Sequence, residues 1–373
     1  MIDTIILAIP RDKITTIKDD SCKFPIWMPQ GKKIGFEKWI KNPFKNNLHY
    51  PRLTGIKRKI GITEISTVNI EFSIPKLLFQ NNLDEVSESD FINVIDTLQR
   101  FLREMGEIIT KDDLINAKVI TFHPAKNILL SDGYTVHGII KELGKINITK
   151  KFELTKVIFK NEGQALQIYS LSNSLVFYDK ISDMNKSKKK AIDRLQTPMQ
   201  FTLFEEIKNR RVPVEVLRIE VRFNNKVKLN SVFKKLDIKA NLIFFEIFKK
   251  DTCQKIVKWY WDTMIKEENL FLFELSNNPK QLLKDILNNP KKIKVMNALS
   301  IVGLSVLSKD GDGIRELRSI IEKRIKQRNW YQISQKFKLL NEITKGKSLH
   351  SWVKQVDDSI KIFDTYKINS NSP

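Results

Sequence analysis

The chemistry this chain can perform is densest in Leu175-Val176-Phe177-Tyr178-Asp179-Lys180. A lysine two residues from a tyrosine shares its face of a strand, favours phenolate over phenol and can help hold a phosphate. Period-two alternation puts Val176, Tyr178 and Lys180 on that face and Leu175, Phe177 and Asp179 on the other. Tyrosine is a common strand residue, so a packing role is the competing reading until other segments contribute. Three other segments do. Glu71 lies in the alternating run Val68 to Ile74, His123 in Ala117 to His123, and Glu220 in Pro213 to Phe223. One imidazole and two carboxylates suit Mg2+ or Mn2+. An ion there could polarise a phosphate oxygen while the tyrosine attacks in line, cleaving a phosphodiester through a covalent phosphotyrosine. Salt bridges to Arg218, Arg222 or Lys76 are the other use of these carboxylates, and Tyr169 is the competing nucleophile.

The elements that must position these residues follow from pattern. Ala165 to Tyr169 and Leu175 to Tyr178 flank Ser170-Leu171-Ser172-Asn173-Ser174, which reads as a hairpin loop. Ile5 to Ile9 reads as an opening strand. Ile70, Phe72 and Ile74 point inward, Glu71 and Ser73 outward, and Pro75 ends that strand. Ser87 or Ser89 caps a helix whose apolar positions are Phe91, Val94, Ile95, Leu98, Leu102 and Met105, closed by Gly106. Thr121 and His123 share one face of the next strand, Ile120 and Phe122 the other. Short helices are expected at Thr135 to Leu143 and Gln200 to Lys208. In the strand after them Leu217, Ile219, Val221 and Phe223 oppose Arg218, Glu220 and Arg222. The segment Ser21 to Arg58 reads as loops and short irregular strands, with Lys57-Arg58-Lys59 available to phosphate. From Ser231 onward the pattern is helical, suited either to reading DNA in the helix-turn-helix manner or to dimerisation. The expected class is α+β: a central, mostly antiparallel sheet with flanking helices, then an α-helical C-terminal region. Residues 1–235 are expected to form the catalytic domain and 236–365 a helical domain, with a frayed tail at 366–373.

Composition narrows the partner. The 373 residues hold 65 Lys and Arg against 43 Asp and Glu, a formal charge of +22. Such an excess makes a polyanion, above all nucleic acid, the expected partner. Lys76, Arg218, Arg222 and the run Lys188-Lys189-Lys190 are the cations expected to meet DNA. Cys22 and Cys253 are too few for a disulfide framework, and no run approaches the ~20 apolar residues of a membrane span. A cytoplasmic protein without membrane contact is expected. No glycine-rich phosphate loop points to a nucleotide cofactor.

Taken together and in order, several segments resemble the phage and plasmid replication initiators typified by the gene II protein of filamentous phages. They are Met1-Ile2-Asp3, His49-Tyr50-Pro51-Arg52-Leu53, Ile70 through Asn82, Val119 to Asn127, Leu175 to Lys180, and Leu217 to Arg222. The resemblance covers roughly residues 1 to 265. It implies an HUH-related, rolling-circle initiator: a metal-dependent endonuclease and strand transferase. Such an enzyme nicks origin DNA, single-stranded or extruded as a hairpin, and stays joined to the 5′ phosphate through tyrosine. It leaves a 3′-OH for host polymerase and helicase, and a homodimer is compatible. The family's Tyr-x-Lys motif maps onto Tyr178 and Lys180, and its acidic strand residues onto Glu71 and Glu220. Its Arg-Ile-Asp strand corresponds to Thr121-Phe122-His123, where His123 replaces the acid and is similar to the histidine strand of HUH nucleases. A non-catalytic DNA-binding regulator of replication or copy number on the same scaffold is the alternative, and a basic membrane-surface protein a third reading.

Overall fold

A computed structural model describes residues 1–17, 24–43, 48–147, 156–160, 163–184, 197–210, 214–276, 278–323 and 327–368. Lys188, Lys189, Lys190 and Cys22 lie outside the described residues. The strands of the main sheet are β1 (Ile2–Pro10), β2 (Trp27–Lys33), β3 (Phe36–Lys41), β4 (Arg52–Ile60), β5 (Thr63–Ser73), β6 (Lys118–Leu129), β7 (Lys156–Lys160), β8 (Ala165–Tyr169), β9 (Asn173–Asp179) and β10 (Val216–Phe223). They form a ten-stranded sheet in the order β2-β3-β4-β5-β1-β6-β10-β9-β8-β7. Every neighbouring pair is antiparallel.

One face of the sheet is apolar because its strands alternate. Ile5, Leu7 and Ile9 on β1 join Val68, Ile70 and Phe72 on β5 and Leu217, Ile219, Val221 and Phe223 on β10, all buried. The helix Phe91–Glu104 covers this face with Phe91, Val94, Ile95, Leu98, Phe101 and Leu102. Gly106 ends it at φ 81°, a left-handed position that suits glycine. The core does not divide near residue 236. Phe244 meets Phe72 and Phe91 edge-on, and Trp261 of the helix Lys250–Trp261 packs near Trp352, so the sheet and the following helices share one apolar cluster.

Three local expectations change. The segment 21–58 contains regular strands β2, β3 and β4, hidden from pattern reading because a hairpin with neither face deeply buried needs no apolar alternation. β5 stops at Ser73, and Ile74-Pro75 opens the helix Ile74–Phe79, where proline's fixed φ suits the first turn. The tail is docked as far as it is described: Tyr366 and Ile368 are buried.

That docking runs through a buried ion pair. Glu85 accepts hydrogen bonds from Lys126 Nζ at 2.9 Å, the Asn127 N–H at 2.6 Å and the Tyr366 N–H at 2.9 Å. Burial by itself would raise the Glu85 carboxyl; the Lys126 ammonium and the Tyr366 N–H outweigh it and hold it at about 2. Because the folded value is depressed, this stabilisation is full above the ordinary glutamate range and is lost as pH falls through about 2. Glu85→Gln strands a buried ammonium and is expected to cost about 3–5 kcal/mol. Urea unfolding at neutral pH checks the loss, and a flatter acid limb than the parent's checks the sign.

Candidate nucleotidyl-transfer site

Five adjacent strands, β5-β1-β6-β10-β9, carry the candidate residues. On β9 and β10 the register pairs Tyr178 with Arg218, Val176 with Glu220 and Ser174 with Arg222. Partners across an antiparallel pair share a face, so these six side chains occupy the face opposite the main core. Across β10, Glu220 pairs with Ala125 of β6, which brings His123 onto the same face.

Glu220 is the hub. Its Oε2 accepts a hydrogen bond from the Tyr178 hydroxyl at 3.1 Å. Arg222 grips it with both arms, Nε to Oε1 at 2.7 Å and a terminal nitrogen to Oε2 at 2.9 Å. His123 Nδ1 stands 3.4 Å from Oε1. Tyr178 is 7% exposed and packs with Ala165 and Val176 in a small apolar cluster separate from the main core.

Lys180 falls at the first turn of the helix Lys180–Met184, since the strand stops at Asp179. Its ammonium still lies 5.6 Å from the Tyr178 ring centroid, and the side chain is buried. The phenol, not the phenolate, is the resting form. Burial first, and Glu220 second, push the Tyr178 hydroxyl well above its ordinary range. Burial would raise Glu220 too, but Arg222 and His123 hold it well below the usual carboxylate range. The shared proton therefore stays on the tyrosine.

Asp3 belongs to the same face, although its place among the odd residues Ile5, Leu7 and Ile9 points it at the core. The register of β1 with β6 shifts between Ile2 and Ile5, setting both Asp3 and Thr4 against His123. Such a bulge re-aims a side chain. Asp3 Oδ1 accepts from Arg218 at 2.6 Å, and Arg218 also donates to Asn127 Oδ1 at 3.0 Å. Burial would raise the Asp3 carboxyl, and the Arg218 guanidinium overrides that and lowers it.

The other candidates separate. Glu71 pairs with Ile6, and Ile6 with Thr121, so Glu71 faces the same way but sits three strands from Glu220. Three strand spacings are about 14 Å, too far for both carboxylates to bind one ion. Among the described residues no three His, Cys, Asp or Glu side chains converge as a cation site. The expected trio is thus reduced to His123 and Glu220. That pair offers an imidazole and a carboxylate at one point, fitting two positions of a divalent ion's shell, although a cation there competes with Arg222 for Glu220. Arg218 is buried in its pair with Asp3, and Lys76 is 1% exposed in the first turn after β5, so both lie beneath the surface. Lys76 adds to burial in lowering His49 to about 3, and neutral His49 accepts the Ser73 N–H at 3.3 Å. Arg222, with a side chain 36% exposed, remains available at the surface.

Residues 1–240 match a family model that describes the N-terminal part of the replication-associated gene II protein. The chain belongs to that family. The match spans all ten strands of the sheet and every candidate residue from Asp3 to Arg222, which makes this a replication initiator of the filamentous-phage gene II type. Comparison with curated proteins and with solved structures gave no match. Among the described residues no helix is long and apolar enough to cross a membrane.

Proposed function

We propose that the protein nicks and rejoins one strand of DNA at a replication origin, with the Tyr178 hydroxyl as nucleophile. The observation that carries this is the 3.1 Å hydrogen bond from Tyr178 to Glu220, with Arg222 and His123 on the same carboxylate, in a member of the initiator family. In the nicking step the phenolic oxygen bonds to phosphorus and the bond from phosphorus to the upstream 3′ oxygen breaks. The phenol proton passes to Glu220, and the upstream oxygen takes up a proton to become the 3′-OH that a host polymerase extends behind a host helicase. Reversal by an incoming 3′-OH rejoins the strand.

Arg222 keeps Glu220 a weak proton acceptor in the resting site, and the substrate can relieve that hold. Arg222 is the solvent-accessible partner of Glu220, and its planar fork suits a phosphate as well as a carboxylate. Turning to the phosphate, it releases the charge that holds Glu220 down, so the carboxylate becomes a better proton acceptor as DNA arrives. Lys180, over the tyrosine ring, adds positive potential beside the attacked phosphate. His123 and Glu220 are the residues that would hold Mg2+ or Mn2+, and the bound ion would neutralise charge on a non-bridging phosphate oxygen.

Single-stranded oligonucleotides tiled across the replicon that encodes the protein, mixed with it and Mn2+, are expected to give a covalent adduct that a chelator abolishes. His123→Ala should raise the Mn2+ concentration needed by at least roughly 10-fold and weaken Mn2+ binding measured calorimetrically without DNA. An adduct indifferent to chelator removes the metal from this reading. Tight duplex binding with no adduct on any oligonucleotide replaces the enzyme with a non-catalytic regulator.

A further inference from the structure

Strands β2 to β5 form a wing at one edge of the sheet, and its free end is built unlike an ordinary pair of hairpins. β2 and β3 are joined by Ile34-Gly35, and β4 and β5 by Gly61-Ile62. The register Lys33 to Phe36 to Arg58 to Ile65 brings both turns to the same end. Gly35 and Gly61 take positive φ, 71° and 61°, as tight two-residue turns require. The residue beside such a glycine is ordinarily Asn, Asp or Ser, whose side chain serves the turn. Here both turns carry isoleucine in that place, and neither is covered: Ile34 is 107% and Ile62 101% exposed. Cations surround them. Lys32, Lys33, Lys57, Arg58 and Lys59 line the two tips, against Glu37 and Glu64, which pair with Lys32 and Lys57. Packing supplies no reason for a fully solvated isoleucine at each of two adjacent, basic turns.

We infer that this wing is a second DNA-binding surface, which grips duplex DNA beside the nicking site by inserting its two basic hairpin tips into a groove with Ile34 and Ile62 as apolar wedges. A two-stranded ribbon fits the major groove, and exposed aliphatic side chains flanked by cations open base steps in bent DNA. The geometry is commensurate with a duplex. The tips are two strand spacings apart, about 10 Å, or about three base steps at ~3.4 Å each. From Ile62 to Glu71 the strand rises about 30 Å. Glu220 lies three strands across and, through the pairs Ile6 with Thr121 and Ala125 with Glu220, four residues further along. The wing therefore meets the helix more than one turn of ~34 Å from the chemistry. Single-strand cleavage at Tyr178 and duplex grip at the wing are then separate functions of one sheet.

The test uses the full chain and two variants altered only at exposed positions, Ile34→Ser/Ile62→Ser and Lys33→Ala/Arg58→Ala/Lys59→Ala. Probes are a random-sequence duplex, a single strand of equal length, and vesicles of mixed phosphatidylserine and phosphatidylcholine. For the duplex, the cation variant is expected to lower the slope of log affinity against log salt by about 2 to 3. The isoleucine variant should keep that slope, lose about 10-fold in affinity and reduce the end-to-end bend measured by energy transfer. Single-strand binding and the covalent adduct on a short single strand should be unchanged in both, so a failure of the nicking chemistry leaves this result readable. Parental duplex affinity, slope and bend in both variants would overturn the inference. So would equal losses on the single strand, or loss of vesicle binding with duplex binding intact, which would assign the wing to a membrane surface.

Discussion

Tyr178→Phe is expected to abolish the covalent protein–DNA adduct, a loss of at least about 10³-fold in nicking rate, while leaving the fold in place. The substitution removes one oxygen. Its structural cost is the hydrogen bond to Glu220, about 1 kcal/mol, because the ring still fills the cluster with Ala165 and Val176. Tyr169→Phe is the control. Tyr169 pairs with Ser174, and Ser174 with Arg222, so it shares the face of Tyr178. It stands four residues along the strand from the level of Tyr178, about 13 Å, and has no place on the Glu220 carboxylate. Its adduct should match the parent's. Because Glu220 takes the proton, and is held well below the usual carboxylate range while burial and Glu220 hold the phenol well above its own, the rate should be flat through neutrality and fall only in acid as Glu220 is protonated. Denaturing gels of protein with labelled DNA read both outcomes; an adduct surviving in Tyr178→Phe would move the nucleophile elsewhere.

The two carboxylates on this face should respond in opposite ways to neutralisation. Asp3→Asn is expected to cost about 3–5 kcal/mol of stability, since it leaves the buried Arg218 guanidinium without the carboxylate of its ion pair. The Asp3 carboxyl is depressed when folded, so its stabilisation is present above the ordinary aspartate range and lost as pH falls through its lowered value. The variant should lack that part of the acid sensitivity, and its folded fraction should still form adduct. Glu220→Gln should cost less stability, about 1–2 kcal/mol, because the Arg222 side chain, 36% exposed, can turn to water. It should cost more chemistry, roughly 10²–10⁴-fold, because the proton acceptor for Tyr178 is gone. Unfolding curves and adduct rates, measured on the same preparations, separate the two. Equal chemical losses in both variants would mean that Asp3 also touches the reaction.

Much of this was legible in the chain because its signals are local. The period-two runs in Val68 to Ser73 and Val216 to Phe223 fix which residues face the core, and so which carry charge on the other side. The helical spacing from Phe91 to Leu102 and the hairpin from Ala165 to Asp179 needed no tertiary information either. Tyr178, His123 and Glu220 were named from such patterns, and they meet. Tertiary structure decided the rest, for a single reason: alternation gives the face of a residue but not the order of strands or the slips between them. Strand order set Glu71 three strands from Glu220. A register slip in β1 turned Asp3 from the core face to the site. Burial, a property of the whole packing, raised the Tyr178 hydroxyl and placed Lys76 and Arg218 beneath the surface.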